Sequence, residues 1–186
     1  MKPMSVHPDP VTADELLVSP RGAGRYELVD GVLRRMTPAG HEHGRIAARI
    51  GGRLLAFVES HQLGEVYAAE TGFLLRRSPD TVRAPDAAFV RRERLASMTL
   101  QPQGYFPGPP DLAVEVLSPS DSRAEIEAKV ADWLTSGCRL VLVLNPATRT
   151  AELHRRTSVE SFTSPEVVTF GDVVSGCTVD LADLFR

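Results

Sequence analysis

Three stretches hold side chains that could do chemistry together: Pro85-Asp86-Ala-Ala-Phe-Val90, Asp111-Leu-Ala-Val-Glu115-Val-Leu117, and the segment around Lys129. The first two read as strands, and each sets one acid among apolar neighbours. A carboxylate in so apolar a strand is costly to bury alone and needs a cation, a metal or a proton. Neighbouring strands lie about 4.8 Å apart, so Asp86 and Glu115 could share one ion. Hard divalent cations such as Mg²⁺ or Mn²⁺ take oxygen ligands and keep waters for a substrate phosphate. Lys129 stands out because the chain has 19 arginines and only one other lysine, Lys2. An amine can act as a compact donor or lose its proton, whereas a guanidinium stays charged. Two buried carboxylates and a lysine suit metal-dependent cleavage of phosphodiesters. The same three residues also suit a structural acid–lysine pair with no chemistry.

The elements that must position these groups follow from pattern. Residues 1–24 read as a Pro- and Gly-rich lead-in with a short helix at Thr12–Val18, where Thr12 and Glu15 have capping-box spacing. Asp30-Gly31, inside the strand-like run 25–36, signals a two-residue hairpin turn. Residues 42–60 predict a helix whose apolar stripe is Ile46, Ile50, Leu54, Phe57 and Val58, with Arg45, Arg49 and Arg53 in a separate row. Residues 65–77 and 82–90 read as a strand pair turning at Ser78-Pro79-Asp80. The connection 91–110, with four prolines and two glycines, reads as a functional or covering loop.

The run 111–117 has the composition of a strand buried on both faces, with Glu115 on the side of Ala113 and opposite Val114 and Val116. Ser122 and Glu125 form a capping box opening a helix, and Gly137 stops it. Lys129 falls on the shoulder of that helix's apolar face, so its stem can pack on the sheet while the ammonium reaches the acids. With the apolar strand 139–144 this makes a βαβ unit with parallel pairing. Segments 149–156 and 166–170 are expected as edge strands and 180–186 as a terminal helix.

Composition bounds the answer. At 186 residues, 42% hydrophobic and 24% charged, the chain suits one globular domain over 25–186 behind the lead-in. No run reaches the roughly 18 apolar residues of a membrane span, and the start lacks a secretory pattern, so a cytoplasmic location is expected. Cys138 and Cys177 lack metal-ligand spacing and read as small buried residues. A net charge of −3 argues against a general nucleic-acid coat protein but not against a nuclease, which needs only a local basic surface. The arginines do cluster, at 34–35, 76–77, 91–94 and 155–156 besides the helical row.

Tyr26-Glu-Leu-Val-Asp-Gly31, His43, Pro85-Asp86-Ala-Ala-Phe-Val90, Pro110-Asp-Leu-Ala-Val-Glu-Val-Leu-Ser-Pro-Ser-Asp121 and Lys129 together resemble the Uma2 family, within the PD-(D/E)XK nuclease-like superfamily. The resemblance spans about residues 12–156. It implies a restriction-endonuclease-like α/β fold, a mixed β-sheet flanked by helices, with an N-terminal hairpin extension. It implies a metal, Mg²⁺ or Mn²⁺, on Asp86 and Glu115, and DNA as substrate. It also implies that the motif lysine has moved: Leu117 stands at its usual place, and Lys129 on the next helix replaces it. Glu27 and His43 match further positions typical of the family and are candidate catalytic residues. Leu142 and Asn145 depart from its common Trp and Asp. Homodimers, common among such nucleases, would let two sites cut two strands.

From the residues alone, His43 reads either as a site contact or as a satisfied core histidine, and Glu27 as a ligand or a hairpin residue. Glu70 and Ser118 are weaker candidates. His41 reads as exposed, and Asp111 and Asp121 as strand-entry and cap residues. Two functions compete: a metal-dependent DNA phosphodiesterase, and a catalytically silent nucleic-acid-binding or regulatory module on the same fold.

Overall fold

Strand β8 (Leu112–Val116) is buried at every position, and the molecule is layered around it. The structure, a computed structural model, describes residues 10–18 and 25–186. Before β8 come α1 (Ala13–Val18), β1 (Arg25–Val29), β2 (Val32–Met36), α2 (His41–Ser60), β3 (Gly64–Ala68), β4 (Phe73–Arg76), β5 (Thr81–Arg83), β6 (Ala87–Arg91), α3 (Arg92–Ala96) and β7 (Phe106–Pro107). After it come α4 (Arg123–Thr135), β9 (Leu140–Asn145), β10 (Thr150–His154), β11 (Val159–Thr163), β12 (Val167–Thr169), β13 (Thr178–Asp180) and α5 (Leu181–Leu184).

The central sheet has six strands in the order β11-β10-β9-β8-β6-β3. Only β8 and β9 run parallel in it, as the crossover through α4 requires. One face packs on α2: Ile46, Ile50, Leu54 and Val58 meet Leu112, Val114 and Val116, and the C-terminal segment closes the same core. The other face packs Ala113, Val141 and Val143 against Trp133 and Val130 of α4 and against Phe73 and Phe106. Those two phenylalanines belong to a second sheet of five strands, ordered β2-β1-β5-β4-β7. Asp30 and Gly31 both have positive φ at the β1–β2 turn, as a two-residue hairpin connection demands.

Four expectations need correction. Residues 65–77 and 82–90 are not one strand pair. β3 pairs with β6 in the central sheet, β4 pairs with β5 in the second, and the chain crosses between sheets at 69–72 and again at 84–86. The loop 91–110 is not bare: it forms α3, then β7, which adds to β4 and sends Phe106 into the core. β10 is internal, because β11, which the pattern did not reveal, covers it as the edge. Helix α5 is four residues long, shorter than expected.

Candidate active site

Glu115 points from the middle of β8 toward α4, and its burial is nearly complete at 4% exposure. Trp133 Nε1 donates to its Oε1 at 2.8 Å, and Lys129 Nζ donates to its Oε2 at 3.3 Å. Both donors stand on one face of α4, a turn apart, so the helix delivers them as a unit. The capping box fixes where that helix starts: Ser122 Oγ accepts from Glu125 N at 3.2 Å and Glu125 Oε2 accepts from Ser122 N at 3.0 Å. Burial pushes the Glu115 carboxyl up to about 7; Lys129 opposes that rise, and the charges of Asp86 and Glu27 add to it.

Asp86 lies at the bend just before β6, where Pro85 has ended the extended run from β5. The β6–β8 ladder pairs Ala87 with Val114. One step further back sets Asp86 across from Glu115 on the same face, where facing Cβ atoms lie about 4.5–5.5 Å apart. Asp86 Oδ2 accepts from Val116 N at 2.7 Å and lies 3.2 Å from His43 Nε2. Those contacts hold one carboxylate oxygen against protein donors, and Asp86 lines a cleft of about 1550 Å³. The hydrogen bond to Asp86 raises the His43 imidazole above its usual value; burial opposes this, and the charges of Asp86, Asp121 and Glu115 reinforce it. His43, half-buried near the start of α2, thus lies against Asp86 at the cleft.

Glu27 enters from the second sheet. Its carboxylate accepts from Arg83 Nη1 at 2.7 Å and from the Ala84 amide at 3.2 Å, and it lies 3.8 Å from Lys129 Nζ. Lys129 therefore sits between two buried acids. Burial alone would pull its ammonium down, but Glu115 and then Glu27 outweigh that and hold it above its ordinary value. All five candidates, Glu27, His43, Asp86, Glu115 and Lys129, line the one cleft, with Ser118 and Asp121 beside them.

Two participants escaped sequence reasoning. Arg83, 7% exposed, donates to Glu27 and also, through Nε and Nη2, to Asp132 at 2.9 and 2.6 Å. It ties β1, β5 and α4 together behind the site. Trp133 is the other, which the apolar face of α4 marks in sequence only as packing. That it lies four residues past Lys129, so on the same helix face, was the available signal.

Other expectations resolve differently. Glu70, at positive φ, pairs with Arg25 at 2.7 Å on the rim. Asp111 is a buried anchor for Arg91 and Arg94 at 3.2 and 3.0 Å. Asp121 accepts from the Ser118 amide at 2.8 Å. His41 is exposed, though it opens α2 instead of lying in a loop. Arg45 and Arg49 donate to main-chain carbonyls at the end of the chain, among them Leu184 O at 3.0 Å from Arg49. The loop 91–110 does not border the cleft.

A family model described as "Uma2: Putative restriction endonuclease" matches residues 13–182. The chain belongs to the Uma2 family. The solved structure of "a putative nuclease belonging to DUF820" from Anabaena variabilis ATCC 29413 superposes with a TM-score of 0.80, covering 95% of this chain and 98% of that one. At 21% identity that likeness establishes the shared fold. No curated protein matches the chain. Uma2 membership makes a nuclease-like mixed α/β fold the setting of Asp86, Glu115 and Lys129.

The donor set suits one kind of metal. Among the described residues no group of three or more His, Cys, Asp and Glu is placed to hold an ion. A soft or fully protein-caged metal is therefore a poor match. Mg²⁺ and similar ions bind through one or two carboxylates plus waters and substrate phosphate. Asp86 and Glu115 are the two carboxylates that could hold such an ion, and a cation there would offset the burial that pushes Glu115 up. Among the described residues no helix is long and apolar enough to cross a membrane.

Proposed function

We propose that this Uma2 protein is a metal-dependent endonuclease that hydrolyses phosphodiester bonds of DNA. The observation that carries the reading is Glu115: a buried carboxylate beside Asp86, bonded by an ammonium and an indole at the floor of an open cleft. Asp86 and Glu115, with a main-chain carbonyl near Val116, would hold Mg²⁺ or Mn²⁺. Such an ion polarises a phosphoryl oxygen and lowers the pKa of bound water.

The chain's own groups do the remaining work. Lys129, held protonated by Glu115 and Glu27, serves as a donor to the phosphate or the attacking water, not as a base. His43 and the Val116 amide fix the Asp86 carboxylate, so the second oxygen presents one orientation to the cleft. Glu27 keeps Lys129 from folding entirely onto Glu115, and Arg83 keeps Glu27 in place.

Incubation of supercoiled plasmid with Mg²⁺ or Mn²⁺ tests this. Wild type should nick or linearise it, and Asp86→Ala and Lys129→Ala should not. Cleavage that survives both substitutions, or no cleavage by wild type with any divalent ion, overturns the proposal. A second reading, a silent module on the nuclease fold, draws on the small number of acidic ligands. Calorimetric titration with Mn²⁺ separates the two: binding abolished by Asp86→Ala favours the enzyme, and no heat in wild type favours the silent module.

A further inference from the structure

Most arginines of this chain are already spoken for. Arg25, Arg45, Arg76, Arg77, Arg83, Arg91, Arg94, Arg123, Arg139, Arg155 and Arg186 each lie against a carboxylate. Arg34 is different. It is exposed on β2, the outermost strand of the second sheet, and it lines the cleft.

The hairpin register decides which way it points. Arg34 pairs directly with Glu27, and Arg35 pairs with Tyr26. Paired residues share a sheet face. Glu27 faces the site, whereas Leu28, the next residue of β1, is buried on the opposite face with Ala13 and Val82. Arg34 therefore projects on the side of Glu27 and Lys129, and Arg35, although it also borders the cleft, projects from the opposite face of the hairpin. The Glu125 carboxyl, in the first turn of α4, is lowered chiefly by its hydrogen bonds to Ser122, and the charge of Arg34 adds to that. A guanidinium that forms no close ion pair among the described residues, held on a β-ladder beside a pair of buried acids, suits a phosphate oxygen.

We propose that Arg34 binds a backbone phosphate of the nucleic-acid strand whose scissile group reaches Asp86 and Glu115. The inference rests on the nuclease reading and assigns its substrate grip to one residue. Arg34 holds the strand across the mouth of the cleft while Lys129 meets it at the floor. Arg35, with the same charge one position along, takes no part.

The test is fluorescence anisotropy of a labelled mixed-sequence DNA duplex, titrated with the full chain at several salt concentrations. Arg34→Gln should weaken binding and flatten the plot of log affinity against log salt by about 0.9, the loss expected for one phosphate contact. Arg35→Gln should leave the slope at the wild-type value, and Arg34→Lys should largely restore it. An unchanged slope in Arg34→Gln overturns the inference, as does an equal loss in Arg35→Gln, which would make the effect general charge. If wild type binds and cleaves DNA while Arg34→Gln behaves identically, only this inference fails. If wild type binds no nucleic acid, the nuclease reading fails with it. Thermal melting of each variant confirms that these exposed substitutions leave the fold intact.

Discussion

Trp133 and Arg83 show how much of the site is support. The Trp133 indole satisfies one oxygen of a buried acid while its rings pack edge-on to Phe73 at 6.1 Å. Trp133→Phe should keep most of the packing and remove the donor. An unsatisfied buried carboxylate oxygen costs about 1–3 kcal/mol, so urea denaturation should show a loss in that range, accompanied by slower plasmid cleavage. Arg83→Ala should be worse. It leaves Asp132 without its cation and Glu27 with Lys129 alone at 3.8 Å, and removing one partner of a buried pair costs about 3–5 kcal/mol. Equal stability of Arg83→Ala and wild type would show that the bridge is dispensable. Of the residues themselves, Asp86, Glu115 and Lys129 were legible because each breaks a local rule: an acid in an apolar strand, a lysine in an arginine chain. Arg83 was not legible. Its partners lie 56 and 49 positions away in the chain, and nothing in the neighbouring sequence marks it. The 91–94 cluster was opaque for the same reason, because the run does not show that the carboxylate holding Arg91 and Arg94 is Asp111.

Among the elements, α4 carries the greatest functional weight, and its starting point matters most. Ser122→Ala removes a cap of about 1 kcal/mol. Hydrogen exchange should show faster opening of the first turn, with little change around Val130 and Trp133, which pack into the core. The βαβ unit of β8, α4 and β9 was readable because its signals are local: two continuously apolar runs, a capping box and a stopping glycine. The region 64–91 was not. Its four strands belong to two sheets, and which strand pairs with which is settled by partners distant in the chain. In retrospect the crossing is marked by Glu70, at φ 78, and by Gly72, where an added Cβ would lie 2.4 Å from the Tyr105 ring. Gly72→Ala should therefore be destabilising, as thermal melting would reveal, by forcing Tyr105 off the second sheet.

For the molecule as a whole, Asp80 joins the first helix to the body. Its buried carboxylate accepts from the Ala13 amide at 2.8 Å, from the Ser78 amide at 3.1 Å and from Arg77 at 3.0 Å. Burial opposes ionisation, but these donors win, and the group sits below its ordinary value of 3.8. A carboxylate depressed by folding contributes stability that is complete above its unfolded value and lost as the pH falls through the folded one. Docking of α1 should therefore persist through the neutral and mildly acidic range and weaken only below 3.8. Asp80→Asn should remove that acid-sensitive component, which limited proteolysis near the N-terminal helix along an acid titration would register.

The lysine's placement by Trp133 has a consequence for variation in this fold. Because the indole is locked to Glu115 and to the aromatic core, the amine one turn earlier is surveyed from the sheet and not from the chain that leads into the helix. Residues between Leu117 and Asp121 can thus be inserted or deleted while the distance from nitrogen to acid stays fixed. One residue added between Lys129 and Trp133 would instead swing the amine by about 100° around the axis and out of reach. The helix behaves as a gauge whose zero is the tryptophan.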